Sequence, residues 1–206
     1  MKISLVEYDA GNLPSVERAL AKQGVETERA ATPESIAAAR VLILPGVGHF
    51  GQLMRTLGSR GLLAPIRQAI GGGVPLLGIC LGLQALFASS AEAPEDRGLD
   101  ILPGTVTALP VTAKLPHMGW NHLRQIRPSA LFEGISANAY FYFAHSYAAR
   151  DAGESTVAMC EHGVPFVAAL ERGNLFAVQF HPEKSGDAGA RVLANFLGYA
   201  GAGNRG

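Results

Sequence analysis

Short apolar blocks alternate with helix-period segments through the first half of the chain. Residues 3–6 are a compact apolar run, and Val41-Leu42-Ile43-Leu44 is continuously apolar, as strands buried on both faces are. Between them Val16, Ala19 and Leu20 recur at helical spacing. Asn12 is placed to cap that helix, Pro14 is tolerated in its first turn, and Gly24 ends it. The pattern predicts a second strand over 25–29, a short helix over 33–39, helices over 51–57 and 62–70, and a turn at Gly71-Gly72-Gly73. Another apolar run, Val74-Pro75-Leu76-Leu77, leads into Gly78-Ile79-Cys80-Leu81-Gly82, and residues 83–89 read as a helix. Strands alternating with helices predict a mostly parallel α/β sheet with right-handed connections. Residues 104–180 read instead as short strands and turns, with a strand over 174–180, and the chain closes on a helix over 188–197. The segment 91–99 is a polar loop, and the residues from Gly198 onward are glycine-rich and expected to fray.

Chemistry enters at Cys80. A strand, a sharp turn and a helix with cysteine at the turn follow the logic of a nucleophile elbow, and glycines two residues either side relieve crowding. Backbone N–H groups after the turn favour a thiolate and can bind an oxyanion. A nucleophilic thiol needs a base, and the base needs an orienting partner. His181 and Glu183 supply that pair at i, i+2. Pro182 is expected to hold the link extended, so that both side chains lie on one side. The predicted triad is Cys80, His181 and Glu183.

Composition narrows the field. Lys and Arg together number 17, as do Asp and Glu, so no basic face for nucleic acid is implied. Two cysteines, Cys80 and Cys160, suit a reducing compartment, with Cys160 structural. No signal peptide or membrane-spanning run is evident, so a cytoplasmic chain is expected. His117, His122, His145 and His162 show no metal-ligand spacing, and neither metal nor cofactor is expected.

With the elbow and His-Pro-Glu in place, the sequence resembles the class I (triad) glutamine amidotransferases over roughly residues 3–197. Within them it is most similar to the glutaminase subunits of imidazole glycerol phosphate synthases. That narrower resemblance rests on residues 7–13 (Glu-Tyr-Asp-Ala-Gly-Asn-Leu), 45–50 (Pro-Gly-Val-Gly-His-Phe), 116–121 (Pro-His-Met-Gly-Trp-Asn) and 142–147 (Tyr-Phe-Ala-His-Ser-Tyr). It departs at Glu7, Asp9 and Pro14, outside the triad.

The resemblance implies a flavodoxin-like, mostly parallel sheet flanked by helices, with added antiparallel strands in the second half. The length suits one domain over 1–198, and the glycine-rich end a flexible tail over 199–206. It assigns Val47, Gly48 and the N–H of Leu81 to the oxyanion hole. Gln84 and Glu92 would hold L-glutamine with their side chains, Glu92 at the ammonium, and the backbone of His145, Ser146 and Tyr147 would hold the carboxylate. Met118, Trp120, Tyr142 and Lys184 would face a separate (β/α)8-barrel cyclase in a heterodimer. That cyclase would use the ammonia on a ribulosyl aminoimidazole carboxamide nucleotide (PRFAR), giving imidazole glycerol phosphate and AICAR. The alternatives are the glutaminase of an anthranilate or aminodeoxychorismate synthase, and a non-catalytic glutamine-sensing module.

Overall fold

The computed structural model describes residues 2–9, 12–110, 112 and 114–202. Its strands are β1 (Lys2–Val6), β2 (Glu26–Ala30), β3 (Leu42–Gly46), β4 (Leu76–Cys80), β5 (Phe87–Ser90), β6 (Leu102–Ala108), β7 (His117–His122), β8 (Arg124–Gln125), β9 (Tyr140–His145), β10 (Tyr147–Ala149), β11 (Thr156–Glu161), β12 (Pro165–Arg172) and β13 (Leu175–Val178). The helices are α1 (Leu13–Ala21), α2 (Pro33–Ala37), α3 (Phe50–Ser59), α4 (Leu63–Gly71), α5 (Leu81–Gln84) and α6 (Gly186–Ala202).

An eight-stranded sheet of order β2-β1-β3-β4-β13-β12-β11-β8 carries the molecule. Its first five strands run parallel, and β12, β11 and β8 continue it antiparallel. Side chains alternate between the two faces with the strand period of two. Ile43, Leu77, Ile79, Phe176 and Val178 face Val16 and Leu20 of α1 and Val192 and Phe196 of α6. Leu42, Leu44, Leu76, Leu175 and Ala177 face Ile36 of α2, Leu53 and Leu57 of α3 and Ile66 of α4. Helices on both faces explain why these strands read as unbroken apolar runs.

Three local expectations change. Residues 83–89 are not one helix: α5 stops at Gln84, and Phe87–Ser90 form β5, parallel to β6. Gly98 lies against this strand: its N–H donates to Ala88 O at 3.0 Å, and an added Cβ would sit 1.9 Å from Phe87 O, a tertiary contact that local pattern does not record. Asn12 precedes α1 but makes no side-chain capping bond. The last helix runs on to Ala202, so residues 198–202 are helical rather than frayed. Ala200 is buried there, and Tyr199 packs on Phe176 and donates its hydroxyl to Gly173 O. Residues 203–206 of the expected tail, and Ala10 and Gly11 of the N-terminal motif, lie outside the described residues.

The β7–β9 ribbon pairs Met118 with Ala144 and Trp120 with Tyr142 on its outer side. Its inner side carries a polar layer. His117 Nδ1 and His145 Nε2 are 3.0 Å apart, His145 Nδ1 is 2.9 Å from Tyr147 O, and Asn121 Nδ2 is 3.3 Å from His117 Nε2. Phe143 and His162 stack on His117, and Phe166 meets both buried imidazoles edge-on. Burial, with the charge of His162 adding to it, lowers His117 to about 4. Burial is also the main cause that takes His145 down to about 3, against the raising effect of its bond to Tyr147. Both are neutral at physiological pH.

Two predictions follow from this architecture. A Cβ on Gly82 would meet Leu44 O at 1.9 Å, so Gly82→Ala forces β3 and the elbow apart. It is expected to cost about 3 kcal/mol in denaturant unfolding. Gly71→Ala, where the added carbon meets open space, changes stability by no more than about 1 kcal/mol. The histidine pair adds acid sensitivity. Its folded values lie below the ordinary histidine value, so between about pH 6.5 and 4 the unfolded chain binds more protons and stability is lost as pH falls. Near pH 5, unfolding takes up about two protons through this pair, and His117→Asn removes about one of them from the measured slope of stability against pH.

Candidate active site

Cys80 ends β4 at the carboxyl edge of the parallel sheet, where ligands bind in such folds. Its backbone has φ 54° and ψ −106°, a left-handed conformation costly for a residue with a Cβ. The strain is held by crowding: Cβ atoms at Gly46, Gly78 and Gly82 would all meet backbone within 3 Å. The turn delivers the thiol and the N–H groups that follow it to a cavity of about 260 Å³. The following helix has only four residues, so the local N–H groups rather than a long helix dipole are what the elbow presents.

His181 and Glu183 meet as expected but by a different route. Pro182–Lys184 is a 3-10 turn, not an extended link, and it places His181 Nδ1 2.9 Å from Glu183 Oε1. The turn is pinned to the ribbon. His181 N–H donates to Tyr142 O at 2.8 Å, and Ser185 Oγ joins His181 O to Tyr142 N–H. Both triad side chains are buried, at 3% and 2% exposure. Burial by itself lowers the His181 pKa. The hydrogen bond and charge of Cys80, then those of Glu183, outweigh it and push the imidazole up to about 10.

The other expected residues gather around the same cavity. Val47 and Gly48 line one wall, with Gly48 at φ 99°, and Leu81 lines the opposite side of the elbow. Tyr8 donates its hydroxyl to Pro45 O, and the Val47 backbone hydrogen-bonds toward the same hydroxyl. Gln84 and Glu92 both line the cavity. Gln84 Nε2 is spent on Tyr147 O and Gln179 Oε1, leaving Oε1 for a ligand. Glu92 Oε2 accepts from Phe50 N–H at the start of α3, which settles its position despite the loop around it. Ser146 and Tyr147 complete the wall, while the His145 ring turns inward to His117.

Met118 and Trp120 are 64% and 56% exposed on the ribbon's outer side. Trp120 meets Tyr142 edge-on at 6.0 Å, and the exposed Lys184 lies over the Tyr142 ring at 5.7 Å. The four residues named for a partner face thus form one patch beside the His181–Glu183 turn. Cys160 is buried away from this cavity, and burial raises its thiol to about 12. Among the described residues, no three or more His, Cys, Asp or Glu side chains are grouped to hold a metal.

Sequence reasoning passed over Gln179. It is fully buried and donates Nε2 to Cys80 Sγ at 3.5 Å. A signal was there: one amide interrupts the apolar run from Leu175 to Phe180, and a buried amide needs partners.

The model of the class-I glutamine amidotransferase family matches residues 5–199. The chain is 50% identical to the imidazole glycerol phosphate synthase subunit HisH of Moorella thermoacetica, over 94% of this chain and 93% of that one. It is 46% identical to the HisH subunit of Methanothermobacter thermautotrophicus, over 95% and 97% of the two chains. Among solved structures, a glutamine amidotransferase superimposes with a TM-score of 0.77 at 22% identity, over 96% of this chain and 98% of that one, which supports the fold. The geometry, the family match and the relatives agree: this chain belongs to the class-I glutamine amidotransferases, in the group of imidazole glycerol phosphate synthase HisH subunits.

Proposed function

We propose that this chain hydrolyses L-glutamine to L-glutamate and ammonia and passes the ammonia to a separate (β/α)8-barrel cyclase. The observation that carries this reading is the strained Cys80 elbow facing the buried His181–Glu183 pair across one small cavity. Cys80 Sγ attacks the side-chain amide carbon of glutamine. The tetrahedral oxyanion is held by the N–H groups of Leu81 and of the Val47–Gly48 peptide. His181, oriented through Nδ1 by Glu183, gives the Nε2 proton to the departing ammonia as the γ-glutamyl thioester forms.

The same imidazole must next act as a base. Its pKa is raised chiefly by Cys80 and then by Glu183. Acylation removes the charge on sulfur, so burial pulls His181 back down and lets it take a proton from water. The hydroxide adds to the thioester, the C–S bond breaks, and glutamate leaves with Cys80 restored. Gln84 Oε1 and Glu92 would receive the substrate ammonium, and the backbone at His145, Ser146 and Tyr147 its carboxylate.

The patch of Met118, Trp120, Tyr142 and Lys184 is the proposed face for the cyclase. Exposed aromatic and methionine side chains suit such a contact, and this one borders the His181 turn. The cyclase would act on PRFAR, giving imidazole glycerol phosphate and AICAR. A closed passage keeps ammonia from protonating in water. No helix among the described residues is long and apolar enough to cross a membrane, and a cytoplasmic setting fits a biosynthetic enzyme with two unpaired cysteines.

Glutamate release is the test, measured on the chain alone, with the barrel cyclase, and with cyclase plus its nucleotide. Strong stimulation that Cys80→Ala abolishes is the expected result; activity indifferent to the cyclase removes the assignment to this synthase. Glu183→Gln leaves the fold but misorients His181, and kcat is expected to drop by at least about a hundredfold. Glu92→Gln keeps an oxygen for Phe50 N–H while losing the charge. It should raise KM roughly tenfold with a smaller change in kcat.

A further inference from the structure

The buried polar layer of the ribbon continues to the nucleophile, and every step has one allowed direction. At the inner end Tyr147 O can only accept, so His145 must carry its proton on Nδ1. A neutral His145 then accepts at Nε2, and His117 must donate from Nδ1. His117 Nε2 is left as acceptor for Asn121 Nδ2. The outer end gives the same polarity independently. His122 N–H can only donate, and it donates to Asn121 Oδ1 at 2.9 Å, which turns the Asn121 amide nitrogen toward His117 and Glu161 O.

Beyond Tyr147 the direction is equally constrained. Tyr147 O accepts a second bond from Gln84 Nε2 at 2.8 Å, which fixes the Gln84 amide. Gln84 Nε2 also donates to Gln179 Oε1 at 3.1 Å, so Gln179 must turn Nε2 to Cys80 Sγ. His117, His145, Gln84 and Gln179 are all buried, at 6% exposure or less. A misdirected partner there would leave a buried donor or acceptor unpaired, a costly state.

We propose that Asn121, His117, His145, the Tyr147 carbonyl, Gln84 and Gln179 form one directed hydrogen-bond network that holds an amide N–H on Cys80 Sγ. Gln179 touches the reacting atom and is a catalytic residue by that contact. His117 and His145 are positioning residues: locked as neutral tautomers, they hold the Tyr147 carbonyl that orients Gln84. The network also ties β7, whose outer side carries Met118 and Trp120, to the thiol through side chains and the one backbone carbonyl of Tyr147. The inference rests on the glutaminase reading only for the role of Cys80 as nucleophile.

The test is alkylation of Cys80 by iodoacetamide in the intact chain, read at Cys80 by peptide mass spectrometry. It is run beside kcat and KM for glutamate release in the complex with cyclase. Gln179→Met removes the donor while filling the space. Below the midpoint of the wild-type alkylation–pH profile, losing that hydrogen bond lowers the thiolate population roughly tenfold, and higher intrinsic nucleophilicity recovers about threefold, so alkylation there should slow about threefold. In the complex, kcat should fall with KM changed by less than about twofold. His117→Phe keeps a ring stacked on Phe143 but cannot donate, and it should slow alkylation in the same direction. His117→Asn restores a donor at the Nδ1 position and should recover most of the loss. An unchanged or faster rate below that midpoint in Gln179→Met overturns the proposal, and that variant decides alone where His117→Phe fails to fold. Equal slowing in His117→Phe and His117→Asn also overturns it, by showing that ring packing rather than donation matters. A wild-type chain that releases no glutamate with any partner removes the glutaminase reading, and the alkylation rates still decide the network.

Discussion

The structure turns on how closely the elbow after β4 approaches β3. Gly82 lies so near Leu44 O that no Cβ fits, and Gly46 is pressed equally hard against Leu81 and Gly82. That crowding forces Cys80 into a left-handed backbone conformation. The reversal lifts the thiol out of the sheet while leaving the next N–H groups aimed beside it. Two core clusters clamp the elbow from either side, since Ile79 and Cys80 belong to one and Leu81 and Leu83 to the other. The local strain persists because the packing of both layers would have to yield to release it.

The remaining parts of the site are brought to that point from far along the chain. The parallel neighbour β13 carries Gln179 and His181 to the same sheet edge as Cys80, because Val178 pairs with Ile79. The β7–β9 ribbon then closes over the turn through Tyr142, Ser185 and His181. One short segment is therefore shared between the base and the ribbon whose outer side carries the aromatic patch. In the proposed function, a partner seated on that patch would be connected to His181 through these hydrogen bonds.

Charge is arranged by the same economy of contacts. The His181 pKa is raised by Cys80 and Glu183 against the pull of burial, whereas His117 and His145, buried among aromatic rings, are kept neutral. Three histidines within one region thus differ by what surrounds them. Asp9 lies at the surface. It stands at φ 63° and pairs with Arg60.

Much of this was legible in the sequence. Continuous apolar runs at residues 41–44 and 74–77 marked strands covered on both faces, and the glycine spacing around Cys80 marked a turn too tight for side chains. His181 and Glu183 were readable as a pair because chemistry requires an oriented base. Such features are local, written in spacing and residue type. The route of the His181–Glu183 link, the split of residues 83–89 into α5 and β5, and the continuation of α6 to Ala202 were decided elsewhere. Each depends on contacts with distant residues: Tyr142 and Ser185, Gly98, and Phe176 with Gly173. The direction of the amide and imidazole bonds leading to Cys80 is of the same kind. A sequence names the donors and acceptors, but only the folded chain brings Tyr147 O and His122 N–H into place to set their order.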